Sequence, residues 1–298
     1  MTVEEGFSGA NLVCVVGCPR SGTTWLQRLL AGHPRVRTGQ ESDVFDIYVG
    51  PQLRAWRREL DPDSSGRGGV GLGCYFEEAM FLGALRRYTR DLLNPMLGPL
   101  GPGELFVEKT PSHALFIPEI LELLPDARFV HVLRDARDTV ASLLGAARTW
   151  GSSWAPRRAR GAAQMWVSHV RAVRDAARAI VPPGRLHEVR YEDLHTDGPR
   201  VLRDVVCWLG LEWTDAEVER ALETNRPEVA RAGGGTPIPL GGAFAASRGA
   251  VVQEPPGFVR KAQIGSWRQD LTPWDRLLVW RVAGRTMAEV GYPWPRPW

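Results

Sequence analysis

Apolar residues fall along this 298-residue chain in short, dense runs separated by longer amphipathic stretches. Leu12–Val16 is apolar throughout and too short for a helix, which predicts a buried strand. After a glycine-containing turn, Trp25, Leu26, Leu29 and Leu30 recur at helical spacing, and Gly32 and Pro34 end that helix. Leu105–Glu108 predicts a second strand and "PEILELLP" a short helix. Phe129–Leu133 predicts a third strand, leading into the helix "DTVASLLGAAR". A long helix is expected over Ala159–Ile180, a fourth strand in "GRLHEVRYEDL", and a helix behind it in "PRVLRDVVCWLGL". Thr272 to Asp275 reads as a capping box with Pro273 at the first helical position, opening a C-terminal helix. Strands alternating with helices predict an α/β fold: a single domain over 1–298 with a central parallel sheet covered by helices on both faces.

Two segments break the alternation. Residues 42–104 hold a helical pattern near Glu77–Leu93 between Pro/Gly-rich stretches, which predicts a partly helical cap inserted over the site. Residues 231–257 carry "GGGTPIPLGG" and "EPPG", too polar and too broken for the interior of an element. A mobile loop is expected there, with a lid and plain surface disorder as equal alternatives.

Composition narrows the class. A net charge of +3 is too small to argue for nucleic acid, and the excess of arginine over lysine has little weight beside it. No long apolar run exists, so no membrane span is expected. "MTVEEGFSGANLVCVVG" has two glutamates and no basic region ahead of its apolar run, the pattern of a buried strand and not of a signal peptide. The four cysteines make no disulfide framework, and Cys14 and Cys18 lack a matching His/Cys pair for zinc. A reducing cytoplasm and no metal are expected.

The chemistry gathers at strand ends, where ligands bind in parallel α/β sheets. Gly17 to Gly22 has the spacing of a P-loop-type turn whose backbone N–H groups cradle phosphate, yet Thr23 stands where a nucleotide triphosphatase needs lysine. The one cation in the loop is Arg20. The N–H groups from Ser21 to Thr24 open a helix and suit an anion, and Thr23 and Thr24 add hydroxyls. At the third strand's end stands Arg134, with Ser142 eight residues on, two turns into the next helix, a pair suited to a second phosphate. Asp138 reads as part of a solvated helix start that complements the macrodipole. A magnesium-binding aspartate would be expected where Arg134 stands if this were a nucleotide triphosphatase.

"GCPRSGTTWLQRLL" with "VLRDARDTVASLL" resembles the paired signatures of sulfotransferases that use 3′-phosphoadenosine-5′-phosphosulfate, the first for the 5′-phosphosulfate and the second for the 3′-phosphate. "VRYEDL" and "FVRKAQIGSWRQDL" resemble two further segments of that family, so the likeness runs discontinuously over most of the chain. The arginine form of the loop resembles the protein-tyrosine sulfotransferases, and the resemblance implies a bacterial member. It implies 3′-phosphoadenosine-5′-phosphosulfate as co-substrate, adenosine 3′,5′-bisphosphate as product, and a hydroxyl or amine of a small-molecule acceptor. It implies that Trp25 and Tyr191 contact adenine and that Arg260 and Lys261 bind the co-substrate, although Ala262 and Gln263 stand where cytosolic members continue with glycine.

Sulfuryl transfer needs charge stabilisation and a base. Arg20 is assigned to the charge on the bridging oxygen. Lys109, at the second strand's tip, is a candidate to hold the transferring sulfonate. Glu41 has the separation from Arg20 of the base in the tyrosine-sulfating relatives, and His113 lies near the catalytic histidine of cytosolic members, shifted by Pro111. Both stay open, with Glu108 a weaker third. His33, His131, His169, His187 and His195 have no supporting context, and Trp150, Trp154 and Trp166 suit an acceptor pocket or the core equally. Two rival classes are a P-loop kinase-like phosphotransferase and a non-catalytic nucleotide-binding protein.

Overall fold

A computed structural model describes residues 8–61 and 70–292. The first residues of the N-terminal stretch, 1–7, and part of the expected cap, 62–69, lie outside the described residues.

Strand β1 (Leu12–Gly17) is buried along its whole length. Its side chains alternate between two cores, as a strand covered on both faces requires. Leu12, Cys14 and Val16 join one core with Phe45, Leu53, Ile117 and Val173, while Val13 and Val15 join the other with Leu26, Leu29, Val205 and Val218. The sheet contains β2 (Val36–Thr38), β3 (Leu105–Glu108), β4 (Arg128–Leu133) and β5 (Leu186–Arg190) as well. The order is β2-β3-β1-β4-β5, and every pairing is parallel. β2 was not expected from the sequence. Three residues are too few to show a period, and β2 depends on tertiary bonds: Thr38 Oγ1 donates to Val107 O at 2.6 Å and accepts from Gln27 Nε2 at 2.7 Å.

The helices follow in chain order: α1 (Thr23–Leu30), α2 (Gly50–Leu60), α3 (Glu78–Leu97), α4 (Ile117–Leu123), α5 (Ala136–Ala147) and α6 (Ala159–Ala179). Then come α7 (Tyr191–Thr196), α8 (Gly198–Trp208), α9 (Asp215–Thr224), α10 (Pro227–Arg231), α11 (Gly242–Arg248), α12 (Trp267–Asp270) and α13 (Pro273–Glu289). The capping box at Thr272 is formed in both directions with Asp275, and a second, unforeseen one joins Thr214 to Glu217.

Among its described residues, the inserted segment holds a wide π-helical turn (Val44–Val49), α2, a 3-10 turn (Leu72–Cys74) and α3. Its helices dock through Trp56 and Phe81, stacked at 4.2 Å with an interplanar angle of 6°. The segment 231–257 holds α11 and an antiparallel bridge between Pro239 and Val251.

β1 lies at the topological switch point of the sheet. The chain leaves it for β2 and β3 on one side and for β4 and β5 on the other, so a crevice opens above its carboxyl end.

Candidate functional site

The β1–α1 turn occupies that crevice. Gly17 has a φ of 155°, and a Cβ there would come within 2.6 Å of Val132 O, so the turn needs glycine to lie on the sheet. Ser21 N donates to Cys18 O at 3.0 Å and closes the turn. Of the N–H groups assigned to a ligand from sequence, Ser21 therefore has a partner within the loop. Gly22, at φ 105°, caps α1, and no side chain covers the helix N-terminus. Arg20 takes a left-handed φ of 75°, a conformation costly for a residue with a Cβ and frequent at functional sites.

A cavity of about 240 Å³ lies above this turn. Arg20, Gly22, Thr23, Thr24 and Trp25 line it from the loop, Arg134 and Ser142 from β4 and α5, Tyr191 from α7, and Arg260 and Lys261 from the segment before α12. Side chains 114 to 241 positions away from Arg20 in the chain thus join the loop in one space. Arg20 Nε donates to Ser142 Oγ at 3.3 Å, and Arg20 Nη2 donates to Phe258 O. The guanidinium also lies 4.5 Å from the Phe258 ring centre and 5.1 Å from that of Trp150. Burial, followed by the neighbouring Arg134 charge, lowers the Arg20 pKa to about 10, still far above neutrality.

Arg134 is buried and donates to Arg20 O at 3.3 Å and to Gln263 O at 3.0 Å, with its guanidinium 4.0 Å from the Tyr191 ring. Its Nε, the Ser21 hydroxyl, the Trp25 indole nitrogen and Arg260 Nε are buried with no hydrogen-bond partner. Unpartnered donors of this kind, beside an uncapped helix N-terminus, suit a ligand with several anionic oxygens.

Several sequence readings are corrected in detail. Tyr191 does not end β5 but starts α7, with its ring packed under Gly22 and 5.6 Å from Trp25. Trp25 turns from the buried stripe of Leu26, Leu29 and Leu30 toward the cavity. Asp138 is not a solvated helix start. It is buried and accepts from Gly265 N at 2.7 Å, Trp267 N at 3.0 Å and Ser266 Oγ at 3.3 Å, anchoring the segment whose Gln263 carbonyl holds Arg134. The three tryptophans part company. Trp166 is core and donates to Arg134 O at 2.9 Å, Trp150 faces Arg20, and Trp154 is exposed. Arg260 and Lys261 share Asp270, at 2.8 and 2.7 Å, and Asp270 is held at about 2 by these partners against the opposing effect of its burial.

Glu41, Lys109 and His113 do not line the cavity. Lys109 is buried at the tip of β3, and its ammonium donates to the exposed Glu41 carboxylate. Lys109 and Lys261 are the chain's only lysines, so a compact ammonium is kept where every other long basic side chain is a guanidinium. His113 is fully buried, with Nδ1 2.9 Å from Glu108 Oε2 and Nε2 3.3 Å from Asp46 Oδ1. Arg28, Asn225 and Glu254 also line the cavity and were missed. Arg28 pairs with Glu254 at 3.3 Å and donates to Gly234 O and Thr236 O, which ties α1 to the 231–257 segment. Arg28 lies on the same face as Thr24, one turn on, which is the only trace of it in the sequence.

A family model described as the sulfotransferase family matches residues 13–215. A protein-tyrosine sulfotransferase of Drosophila melanogaster is 26% identical over 216 residues, which are 72% of this chain and 41% of that protein. A putative protein-tyrosine sulfotransferase of Caenorhabditis briggsae is 29% identical over 134 residues, 45% of this chain and 43% of that one. This chain thus spans about two fifths of the length of these curated relatives. Among solved structures, a mouse sulfotransferase complexed with PAP superposes with a TM-score of 0.58 at 13% identity, covering 94% of this chain and 89% of that one. The sulfotransferase domain from the curacin biosynthetic pathway gives 0.55 at 20%, covering 95% and 98%. The chain belongs to the sulfotransferase family.

Proposed function

We propose that this member of the family transfers the sulfuryl group of 3′-phosphoadenosine-5′-phosphosulfate to a hydroxyl or amine of a small-molecule acceptor, releasing adenosine 3′,5′-bisphosphate. The observation that carries the reading is the meeting of two anion-binding sets in one cavity: the Arg20–Trp25 turn on one side, and Arg134, Ser142, Arg260 and Lys261 on the other. A nucleotide phosphorylated at both 5′ and 3′ positions fits two such sets, and AMP or ATP would engage one of them.

In this reading the α1 N-terminus and the Thr23 and Thr24 hydroxyls hold the 5′-phosphosulfate. Arg134 and Ser142 take the 3′-phosphate, joined by Arg260 and Lys261 as they exchange Asp270 for it. Trp25 and Tyr191 border the adenine. In-line displacement breaks the bond between sulfur and the phosphate's bridging oxygen, and Arg20 stabilises the charge that collects there. Lys109 turns from Glu41 to the sulfonate, and Glu41 takes the proton of the attacking acceptor. The expected cap 42–104 then covers the acceptor, and residues 231–257 form a mobile lid linked to α1 through Arg28. A bacterial, cytoplasmic setting belongs to the same proposal. Cys14, Cys18 and Cys207 are free thiols, and among the described residues no helix is long and apolar enough to cross a membrane.

Calorimetry tests the donor site. Adenosine 3′,5′-bisphosphate should bind much more tightly than AMP or ATP, and Arg134→Ala should shrink the preference by about 1.5–3 kcal/mol, the worth of a charge-assisted contact. Equal affinity for AMP and the bisphosphate would overturn the 3′-site. Labelled donor with a panel of phenols, alcohols and amines, read by mass spectrometry for a sulfate adduct, then identifies the acceptor.

A further inference from the structure

The buried His113 and Glu108 form a polar cluster with the half-buried Asp46 away from the cavity, and nothing in the donor site uses it. The chain segment it touches is the one that carries Glu41. That segment leaves β2 after Thr38, passes Asp43 in a left-handed conformation at φ 49°, and enters the wide turn Val44–Val49. Neither a strand ladder nor a regular α-helix fixes residues 41–46; beside the backbone bonds from Asp46 N and Ile47 N to Asp43 O, at 3.1 and 2.9 Å, side chains hold the segment.

Glu108 fixes the start of the segment. Its Oε1 accepts from Ser42 Oγ at 2.8 Å and from Thr110 Oγ1 at 2.7 Å, and Ser42 N donates to Thr110 Oγ1 at 3.2 Å. Its Oε2 faces His113 Nδ1 at 2.9 Å. The other ring nitrogen fixes the end of the segment, since Nε2 lies 3.3 Å from both Phe45 N and Asp46 Oδ1. A neutral ring protonated on Nδ1 accepts from Phe45 N–H and leaves Asp46 Oδ1, which is buried, without a partner. An imidazolium instead donates to both carboxylates and gives up the bond from Phe45 N–H, so that Asp46 takes over the end of the segment.

We propose that the Glu108–His113–Asp46 array is a positioning device that fixes residues 41–46 and thereby aims Glu41 at the acceptor. It rests on the reading of Glu41 as the base. His113 touches no reacting atom and is therefore a positioning residue, not the base itself. Burial by itself would lower the His113 pKa, but the charges of Glu108 on β3 and of Asp46 and Asp43 on the segment raise it overall. Those charges therefore favour the imidazolium, the form that faces both carboxylates, over the neutral ring.

Amide hydrogen exchange tests the first half without any acceptor. In His113→Gln and in Ser42→Ala, exchange within residues 42–46 should speed up at least about tenfold. Protection in β1 and β4 and affinity for adenosine 3′,5′-bisphosphate should hold. Hydrolysis of 3′-phosphoadenosine-5′-phosphosulfate, with water as the acceptor probe, tests the second half. Each variant should lose turnover, and His113→Gln added to Glu41→Gln should cost nothing further, because residues acting through one group are not additive. Unchanged protection in 42–46, or an additive loss in the double variant, overturns the positioning role. If His113→Gln does not fold, Ser42→Ala decides alone, since it leaves the Glu108–His113 pair in place. Full hydrolysis by Glu41→Gln would instead overturn the base assignment, and the exchange result would still report on the array.

Discussion

At the scale of single residues, the cavity depends on contacts with little slack. A Cβ at Gly22 would lie 2.5 Å from Tyr191 Cδ2, with the backbone at φ 105°. Gly22→Ala should therefore lose about 1–3 kcal/mol of stability and displace Tyr191. Thermal unfolding together with a weakened bisphosphate isotherm would register both effects. The Glu108–His113 pair makes a second prediction. Burial works against the Glu108 charge, but His113 and the hydroxyls of Thr110 and Ser42 hold its pKa at about 2, below the ordinary 4.5. A depressed carboxylate stabilises the fold above its unfolded value, and the contribution is lost as pH falls through the folded one. His113, raised from 6.5, contributes fully below 6.5, and the contribution is lost as pH rises through its folded value. The stability gap between the wild type and Glu108→Gln should thus be widest from about pH 4.5 to 6.5. Denaturant midpoints across pH would measure it, and a gap that does not narrow on both sides would contradict the pairing.

At the scale of elements, local signals were legible and partner-dependent ones were not. The run Leu12–Val16 and the Thr272 box with Pro273 identify β1 and α13 without help from elsewhere in the chain, because burial and capping leave local patterns. Thr272→Ala should cost about 0.5–2 kcal/mol and leave bisphosphate affinity unchanged, since the cap lies outside the cavity. A change in affinity equal to the loss of stability would mean that α13 reaches the site. β2 left no such pattern, and its bonds to Gln27 and Val107 come from other elements. Asp138 misled for a related reason. An aspartate in the first turn of a helix looks the same whether it meets water or the backbone of residues 265–267, which are 127 to 129 positions away.

At the scale of the whole molecule, the sheet order 2-3-1-4-5 brings the ends of β1, β3, β4 and β5 to one edge and determines what can react there. With Arg134, not a carboxylate, at the end of β4, turnover should persist in excess EDTA. A magnesium requirement restored by titration would favour phosphoryl transfer. The sequence by itself determined the parallel α/β class, through the alternation of short apolar runs with amphipathic stretches, and two separate signatures, the phosphate-type turn without its lysine and Arg134 with Ser142, since each signature is written within about a dozen neighbouring residues. Only the tertiary structure decided that Arg20 meets Ser142, that Lys109 pairs with Glu41, and that His113 lies under the segment carrying Glu41 and not in the cavity. Those outcomes depend on which strand ends become neighbours and on which side chains lose their water. Both are set by packing between residues far apart in the chain, on which spacing along the sequence has no bearing.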